Sequence, residues 1–204
     1  MGDLFKRHST RLLADPIDCI CRLYTLYIKY VGNDICADEG DVALERETLD
    51  RFWGWGEVLM SDFDDIDKHL ADARQVFSHV HDLAELQDLS FLDEEQKRIL
   101  TRFFGYFSAD ENSLLRRRFI RLWDKMFHIY SELKEQLLLE NQLWEGALYR
   151  EACEAVMQHG LSPEESTPIC FVGFNVLNSV EEELMKAYAP HARFYWDYDV
   201  YYTD

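Results

Sequence analysis

Ile169-Cys-Phe-Val-Gly-Phe-Asn175 and Ala192-Arg-Phe-Tyr-Trp-Asp-Tyr-Asp-Val200 enclose the segment that decides the fold of this chain. The first run is apolar and closed by a glycine, and the second is rich in aromatic and β-branched residues, so both predict strands. Between them, Asn178 and Glu181 have the spacing of a helix capping box, and Pro190 ends the helical pattern. Strand, helix and strand at this spacing predict a βαβ unit with parallel strands.

The residues before this unit show helical periodicity almost throughout. Apolar residues keep helical spacing after Pro16 as far as Val31. Leu44 to Leu70 predicts one helix, or two helices joined at Gly54-Trp55-Gly56, and a further helix starts at Asp93. Phe119 to Leu139 is the longest uninterrupted helical pattern, and the helical spacing resumes from Trp144 to Met157. No other strand is predicted, so the expected fold class is mainly α with a small C-terminal βαβ unit.

The apolar stripe of the longest helical pattern predicts the core of the helical body. We expect close packing to explain the two glycines around Trp55, because glycine inside a helix is unfavourable by about 1 kcal/mol relative to alanine. The predicted core residues are Trp123, Phe127, Tyr130 and Leu137, with Phe63 and Phe103 as neighbours.

Two parallel strands alone are marginally stable, because parallel strands normally belong to larger sheets that are covered on both faces. We therefore expect residues 169–204 to be a piece of a larger α/β domain, following a helical domain at residues 1–168. The alternative is a mainly helical domain that carries a small two-stranded flap.

The charge balance limits the classes of partner. The chain has 21 Lys and Arg against 39 Asp and Glu, a formal net charge of -18. This argues against a free-standing nucleic-acid binder, which needs basic surface to replace counterions, but it allows a local basic patch on a larger DNA-binding enzyme.

The five cysteines form no Cys-x-x-Cys pair, and no membrane span or signal peptide is recognisable, so a reduced, cytoplasmic setting is expected.

Three charged clusters are candidates for chemistry. The run from Asp62 to Asp67 lacks the glycine and distant glutamate of a calcium loop, so it predicts a solvated helix face. Asp197 and Asp199 lie on one face of a strand near its carboxyl end, where they either contact a metal or nucleotide or hydrogen-bond a following loop. The dense basic run Arg116, Arg117 and Arg118 either contacts phosphate or begins a solvated helix.

Phe171-Val-Gly-Phe-Asn175, Val180-Glu-Glu-Glu-Leu184 and Phe194-Tyr-Trp-Asp-Tyr-Asp199, with Tyr201 and Tyr202, resemble the end of the first motor domain in AddB-like proteins. Such proteins carry a PD-(D/E)XK exonuclease domain behind a region descended from the superfamily-1 (UvrD-like) helicases. The stretches Trp53 to Asp67 and Phe119 to Arg150 also resemble the helical insertion of these proteins.

The resemblance implies a degenerate, helicase-like segment. Gly173 and Phe174 stand where true helicases carry an Asp-Glu pair for magnesium and water, and Asp197 and Tyr202 look like the remnant of the next motif. Asn175 and Asp199 are further positions of these degenerate motifs. The sequence contains no Gly-x-x-x-x-Gly-Lys phosphate loop. The implied role is a catalytically inactive part of a DNA-repair and recombination protein that processes double-strand ends.

The same resemblance implies the cofactors and partners. No cofactor is expected for this segment itself, whereas the nuclease domain of the parent protein would use Mg²⁺. DNA and a helicase partner subunit are the expected partners, and the segment would shape a DNA channel or dock that subunit. Two alternatives are a stand-alone helical interaction module that uses Trp53 and Trp55, and a metal-dependent enzyme that uses Asp197 and Asp199.

Overall fold

The computed structural model describes residues 1–32, 48–78, 114–161, 168–174 and 176–196, and for residues 114–122 it describes the backbone alone. The helix predicted from Asp93 and the expected core residue Phe103 lie outside these ranges. Within them the chain is mainly helical, as predicted. No described helix is both long and apolar enough to cross a membrane.

The described helices and strands follow the predicted order, with two additions: the short N-terminal helix and one pair of strands. A π-helical turn at Ile28–Gly32 extends the second helix, and a 3-10 turn at Ala189–His191 precedes the last strand. The elements are α1 (Gly2–Arg7), β1 (Leu12–Leu13), α2 (Pro16–Tyr27), α3 (Leu49–Lys68), α4 (Leu114–Leu139), β2 (Gln142–Leu143), α5 (Glu145–His159), β3 (Ile169–Val172), α6 (Ser179–Tyr188) and β4 (Ala192–Tyr195).

The predicted C-terminal βαβ unit is confirmed. Strands β3 and β4 pair in parallel, with Ile169 opposite Ala192 and Val172 opposite Tyr195. Helix α6 makes the crossover and buries one face, formed by Val180, Leu184, Met185 and Tyr188. Parallel pairing requires such a crossover, so the helix and the two strands form one structural unit.

The capping box at the start of α6 is also present as predicted. The Asn178 side-chain oxygen accepts a hydrogen bond from the Glu181 backbone N–H at 3.0 Å. In return, the Glu181 carboxylate accepts one from the Asn178 backbone N–H at 3.2 Å. Two helix-terminal donors are thereby satisfied without water.

Replacing Asn178 with alanine is expected to lower the free energy of unfolding by about 1 kcal/mol, because the N-terminal donors of α6 lose their acceptor. Urea unfolding of the purified chain measures the change. Asn178→Asp keeps a capping oxygen and serves as the control, with an expected change of only a few tenths of a kcal/mol. An equal loss in both variants would contradict the capping role.

The sequence analysis predicts no strand before Ile169, and this is wrong. Strands β1 and β2 pair in parallel, with Leu12 opposite Gln142 and Leu13 opposite Leu143. Each strand has two residues, which is too short to show an alternating pattern in the sequence. Asn141, at φ +59°, precedes β2 in the short connection between α4 and α5.

Helix α3 is continuous through Gly54-Trp55-Gly56, so the alternative of two joined helices is wrong. The expected close packing holds for one glycine only. A Cβ atom on Gly56 would lie 2.9 Å from Cγ2 of Ile20, whereas nothing lies within 4 Å of the corresponding position on Gly54. Gly56 therefore allows close approach to α2.

The buried face of α4 is rotated relative to the prediction. Trp123 and Phe127 are half-buried, whereas Tyr130 and Leu137 are buried as expected. The Phe127 ring contacts the Arg74 guanidinium, 4.5 Å from its centroid, which places it at the margin of the apolar face. Phe63, on α3, is buried as expected. Among the side chains of α4 that the structure describes, from Trp123 onward, the most buried are Met126, Ile129, Leu133 and Leu137.

The chain divides into two compact units. One contains Met1–Pro16, Val58–Ala71 and Leu137–Asp204, and the other contains Ile17–Glu57 and Asp72–Gln136. In the first unit, α5 packs against both α1 and α6. The βαβ unit thus lies in the same compact unit as the N-terminal helix, and the domain boundary predicted between residues 168 and 169 stays a prediction.

Candidate functional site

The carboxyl ends of β3 and β4 lie side by side, and the predicted motif positions follow them directly. The Gly173 N–H donates a hydrogen bond to the Tyr195 carbonyl at 3.2 Å. Gly173 has φ +75°, in the region that favours glycine, and nothing lies within 4 Å of a Cβ built on it. The glycine is therefore needed for its backbone conformation, and the surface beside it is open.

The structure describes two of the predicted site residues with their side chains. These are Gly173 and Phe174, and the Phe174 ring packs edge-to-face on Phe171 with centroids 6.2 Å apart. The basic run lies in the first turns of α4, where only the backbone is described. This run consists of Arg116, Arg117 and Arg118. The remaining predicted site residues lie outside the described ranges: Asn175, Asp197, Asp199 and Tyr202.

An aromatic stack runs from the core of the βαβ unit to its surface. Phe171 is buried, and its ring stacks on Phe194 with centroids 5.2 Å apart and planes 15° apart. Phe194 stacks in turn on the exposed Trp196, at 5.9 Å and 5°. The period-two alternation of β4 puts Phe194 and Trp196 on one face. Offset or edge contacts between rings add stability beyond area burial, so this stack ties the two strands together.

A groove of about 360 Å³ lies between α1 and β3. On one side it is lined by Met1, Asp3, Leu4 and Arg7, and on the other by residues of β3 and by Phe174. Apolar side chains and two opposite charges therefore share the lining. The sequence analysis assigns no role to α1, because a six-residue helix shows too little periodicity to be placed against a strand.

A charged network joins α3 to the start of α5. The Asp64 carboxylate accepts a hydrogen bond from the Gly146 backbone N–H at 2.5 Å and forms an ion pair with Lys68 at 2.6 Å. Lys68 also contacts Glu145 at 2.8 Å, and Glu145 accepts a hydrogen bond from the Tyr149 hydroxyl. A carboxylate at a helix N-terminus is favourable, because it meets unpaired N–H groups and the positive end of the helix dipole.

Asp67 is fully buried beside this network. Its carboxylate accepts a hydrogen bond from the Trp144 indole N–H at 3.0 Å and lies 3.5 Å from the Arg150 guanidinium. The same guanidinium nitrogen donates to the Ala71 carbonyl at 2.7 Å. The prediction of a solvated acidic face is therefore wrong for Asp67, although the side chain of Asp65 is exposed as expected.

Protonation equilibria in the network follow from its contacts. Burial opposes ionisation of Glu145, but the hydrogen bonds from Lys68 and Tyr149 hold its pKa below the usual range. Burial and the bond to Glu145 raise the pKa of Tyr149 to about 12. The pKa of Glu145 is lower in the folded chain than in the unfolded chain. Ionised Glu145 therefore stabilises the fold at pH values above its unfolded-state pKa, and this stabilisation is lost as the pH falls through its folded-state pKa. The network is arranged to hold α3 and α5 together near neutral pH.

The described residues at the strand ends include two positions of the predicted motif. Gly173 and Phe174 carry no side-chain oxygen at the positions where the resemblance places a magnesium-binding acidic pair. Among the described residues, no three His, Cys, Asp or Glu side chains come together as a metal-binding group. Asp197 and Asp199 lie outside those residues, so their proposed metal contact stays a prediction.

Comparisons with models of protein families, with curated proteins and with solved structures find no match to this chain. The resemblance to AddB-like proteins therefore depends on the residues quoted for it. Of the residues quoted for the motor-domain motifs, 171–174, 180–184 and 194–196 are described, and they lie in β3, α6 and β4 or directly after a strand. The stretches quoted for the helical insertion lie in α3, and in α4 to α5.

Proposed function

We propose that this chain is a non-catalytic, helicase-like segment of a nuclease–helicase subunit that processes DNA double-strand ends for recombinational repair. The observation that carries the proposal is the parallel register of β3 and β4, across which Phe171 lies opposite Phe194. In this register the described parts of the two stretches that resemble helicase motifs, 171–174 and 194–196, are neighbours. Ligands of α/β sheets bind at the edge beyond the carboxyl ends of the strands.

The side chains at this edge support a structural role for the segment. Motor enzymes need a phosphate loop for ATP and carboxylates for magnesium and the attacking water. The sequence has no phosphate loop, and Gly173 and Phe174 replace the acidic pair. In the proposed role the segment lines a DNA channel or docks the helicase partner subunit in the cytoplasm, and hydrolysis of ATP and of DNA takes place elsewhere in the complex.

Adding ATP with Mg²⁺ is expected to leave the melting temperature of the chain unchanged relative to Mg²⁺ alone, because ligands stabilise a protein only by binding its folded state. Differential scanning fluorimetry measures the shift, and phosphate release measures turnover. A known P-loop ATPase is the positive control. A reproducible upward shift that needs ATP would contradict the proposed loss of nucleotide binding.

The role in end processing is tested in the organism that encodes the chain. Deleting the gene is expected to lower survival after double-strand breaks and to lower recombination of linear DNA, and the intact gene should restore both. Leu184→Asp, which puts a charge into the buried face of α6, is expected to restore neither. Unchanged survival and recombination in the deletion strain would overturn the proposal.

The second candidate is a protein-interaction module. Its supporting observation is that Trp55 on α3 is 47% exposed, whereas Trp53 is half-buried. Tryptophan side chains often dominate the binding energy at protein interfaces. As a stand-alone module the chain would bind a protein partner through this side chain, so Trp55→Ala should abolish that complex while leaving the melting temperature of the chain nearly unchanged. The metal-enzyme alternative rests on Asp197 and Asp199 and stays a prediction.

A further inference from the structure

Among the described residues, strand β3 is paired along one edge only, and its other edge is called the open edge below. In the part of the chain that the structure describes, β4 is the only strand that pairs with it. The N–H of Gly173 points to β4, where it donates to the Tyr195 carbonyl. Along a strand, successive backbone groups point to opposite sides, so the N–H and C=O of Phe171 also face β4. Those of Cys170 and Val172 face the other side.

The open edge lacks the features that usually protect edge strands. Natural proteins block such edges with lysine, proline, a bulge or a very short strand. The β3 sequence Ile169-Cys-Phe-Val172 contains no charge and no proline, and its pairing with β4 is regular over four residues. Val172 is 64% exposed on the outer face. The edge is therefore a competent template for another extended strand.

The groove beside the open edge indicates what kind of strand fits. Its lining includes Ile169 to Val172 of β3 and residues of α1, but no residue of β4, so it lies on the side of β3 away from β4. Leu4 and Phe174 supply apolar lining, while Arg7 and Asp3 lie one helical turn apart on α1. An incoming strand would meet backbone donors and acceptors on one side and these side chains on the other.

We propose that the open edge of β3 binds an extended, apolar strand from another polypeptide, which carries one acidic side chain facing Arg7. The strand exchanges backbone hydrogen bonds with Cys170 and Val172, as in other cases of β-strand addition. Its apolar side chains fill the groove between β3 and Leu4. A carboxylate opposite Arg7, away from Asp3, sets the position of the strand along the groove through charge complementarity.

The probe for this site is a synthetic peptide of alternating valine and threonine with one aspartate near its centre. Amide hydrogen exchange is followed by NMR on the isotope-labelled chain, with and without saturating peptide. The amides of Cys170 and Val172 are expected to exchange fast in the free chain and to slow at least about tenfold in the complex. The Gly173 amide, already bonded to β4, should be slow in both states.

Matched variants separate the backbone contact from the fold. Val172→Pro removes the outward N–H without removing a bond to β4, and Val172→Thr keeps the N–H and the β-branched shape. Peptide affinity, measured by fluorescence anisotropy, is expected to fall at least about tenfold in the proline variant and to stay within about twofold in the threonine variant. The same peptide with N-methyl groups at alternate residues should bind the protein without substitutions as poorly as the parent peptide binds the proline variant. This measurement tests the backbone contact without altering the protein.

A second pair of variants tests the charge. Arg7→Gln removes the charge that lines the groove, and Lys6→Gln removes an equal charge from the adjacent, exposed position of α1 that does not line it. Affinity is expected to fall by up to about fivefold in the first variant and to change little in the second.

Several outcomes would overturn the proposal. One is that saturating peptide leaves the exchange of Cys170 and Val172 unchanged, or that no binding is detected. Another is that the N-methylated peptide binds as well as its parent. A third is a concentration-dependent dimer, seen by sedimentation, that protects the same two amides without peptide, because β3 would then pair with a second copy of this chain. None of these results depends on DNA repair, so they are distinguishable from a failure of the proposed function.

Discussion

Replacing Asp67 with alanine is expected to lower the free energy of unfolding by about 3–5 kcal/mol, the usual effect of removing one partner of a buried ion pair. The carboxylate is completely buried, and its removal takes away the acceptor of the Trp144 indole N–H. It also breaks the ion pair with Arg150, which keeps its bonds to Ala71 and Glu154. A buried donor without a partner loses its hydration and gains nothing in return. Urea unfolding followed by tryptophan fluorescence measures the loss.

Asp65 provides the matched control for this experiment. It lies on the same helix, carries the same charge and has an exposed side chain. Asp65→Ala is therefore expected to change the free energy of unfolding by no more than about 0.5 kcal/mol. If Asp67→Ala cost as little stability as Asp65→Ala, both side chains would be solvated. The assignment of Asp67 as a buried contact between α3 and α5 would then be wrong.

Replacing Leu133 with alanine is expected to cost about 2–5 kcal/mol, the range observed when a buried leucine is truncated and a cavity remains. Leu133 is completely buried on the inner face of α4, between Ile129 and Leu137 on the same stripe. The effect is read from the shift of the urea midpoint at unchanged slope.

Leu139 is the control on the same helix, because its side chain is 89% exposed. Leu139→Ala is expected to change stability by less than about 0.5 kcal/mol. The comparison tests the rotation of the α4 face directly. If Phe127→Ala proved more destabilising than Leu133→Ala, the face predicted from the aromatic residues would be the buried one after all.

Local patterns in the sequence were sufficient for the C-terminal unit. A capping box, a proline stop and two β-rich runs act over a few residues, so Asn178, Glu181 and Pro190 could be interpreted without knowing what packs against them. The helical spans on either side of Trp144 follow from periodicity for the same reason. The positions of Gly173 and Phe174 at the end of β3 follow from the order of the elements.

Contacts between distant segments could not be predicted in this way. The pairing of Leu12 with Gln142 joins residues far apart in sequence through two-residue strands that leave no periodic signal. The apolar stripe of α4 is broad, so its periodicity placed Phe127 and Leu133 on one helix without deciding which of them faces the core. The candidate site was predicted in part only, because α1, which closes the groove beside β3, has no motif of its own.

Spacing between near neighbours was enough to establish the helical class, the parallel βαβ unit and the absence of a phosphate loop. Packing between distant segments, by contrast, buries Asp67 while Asp65 stays exposed, and it forms the groove between α1 and β3. The physical reason is that a side chain's chemistry is set by what surrounds it. Trp144 and Arg150 reach Asp67 across the fold from another helix, and no pattern within α3 records them.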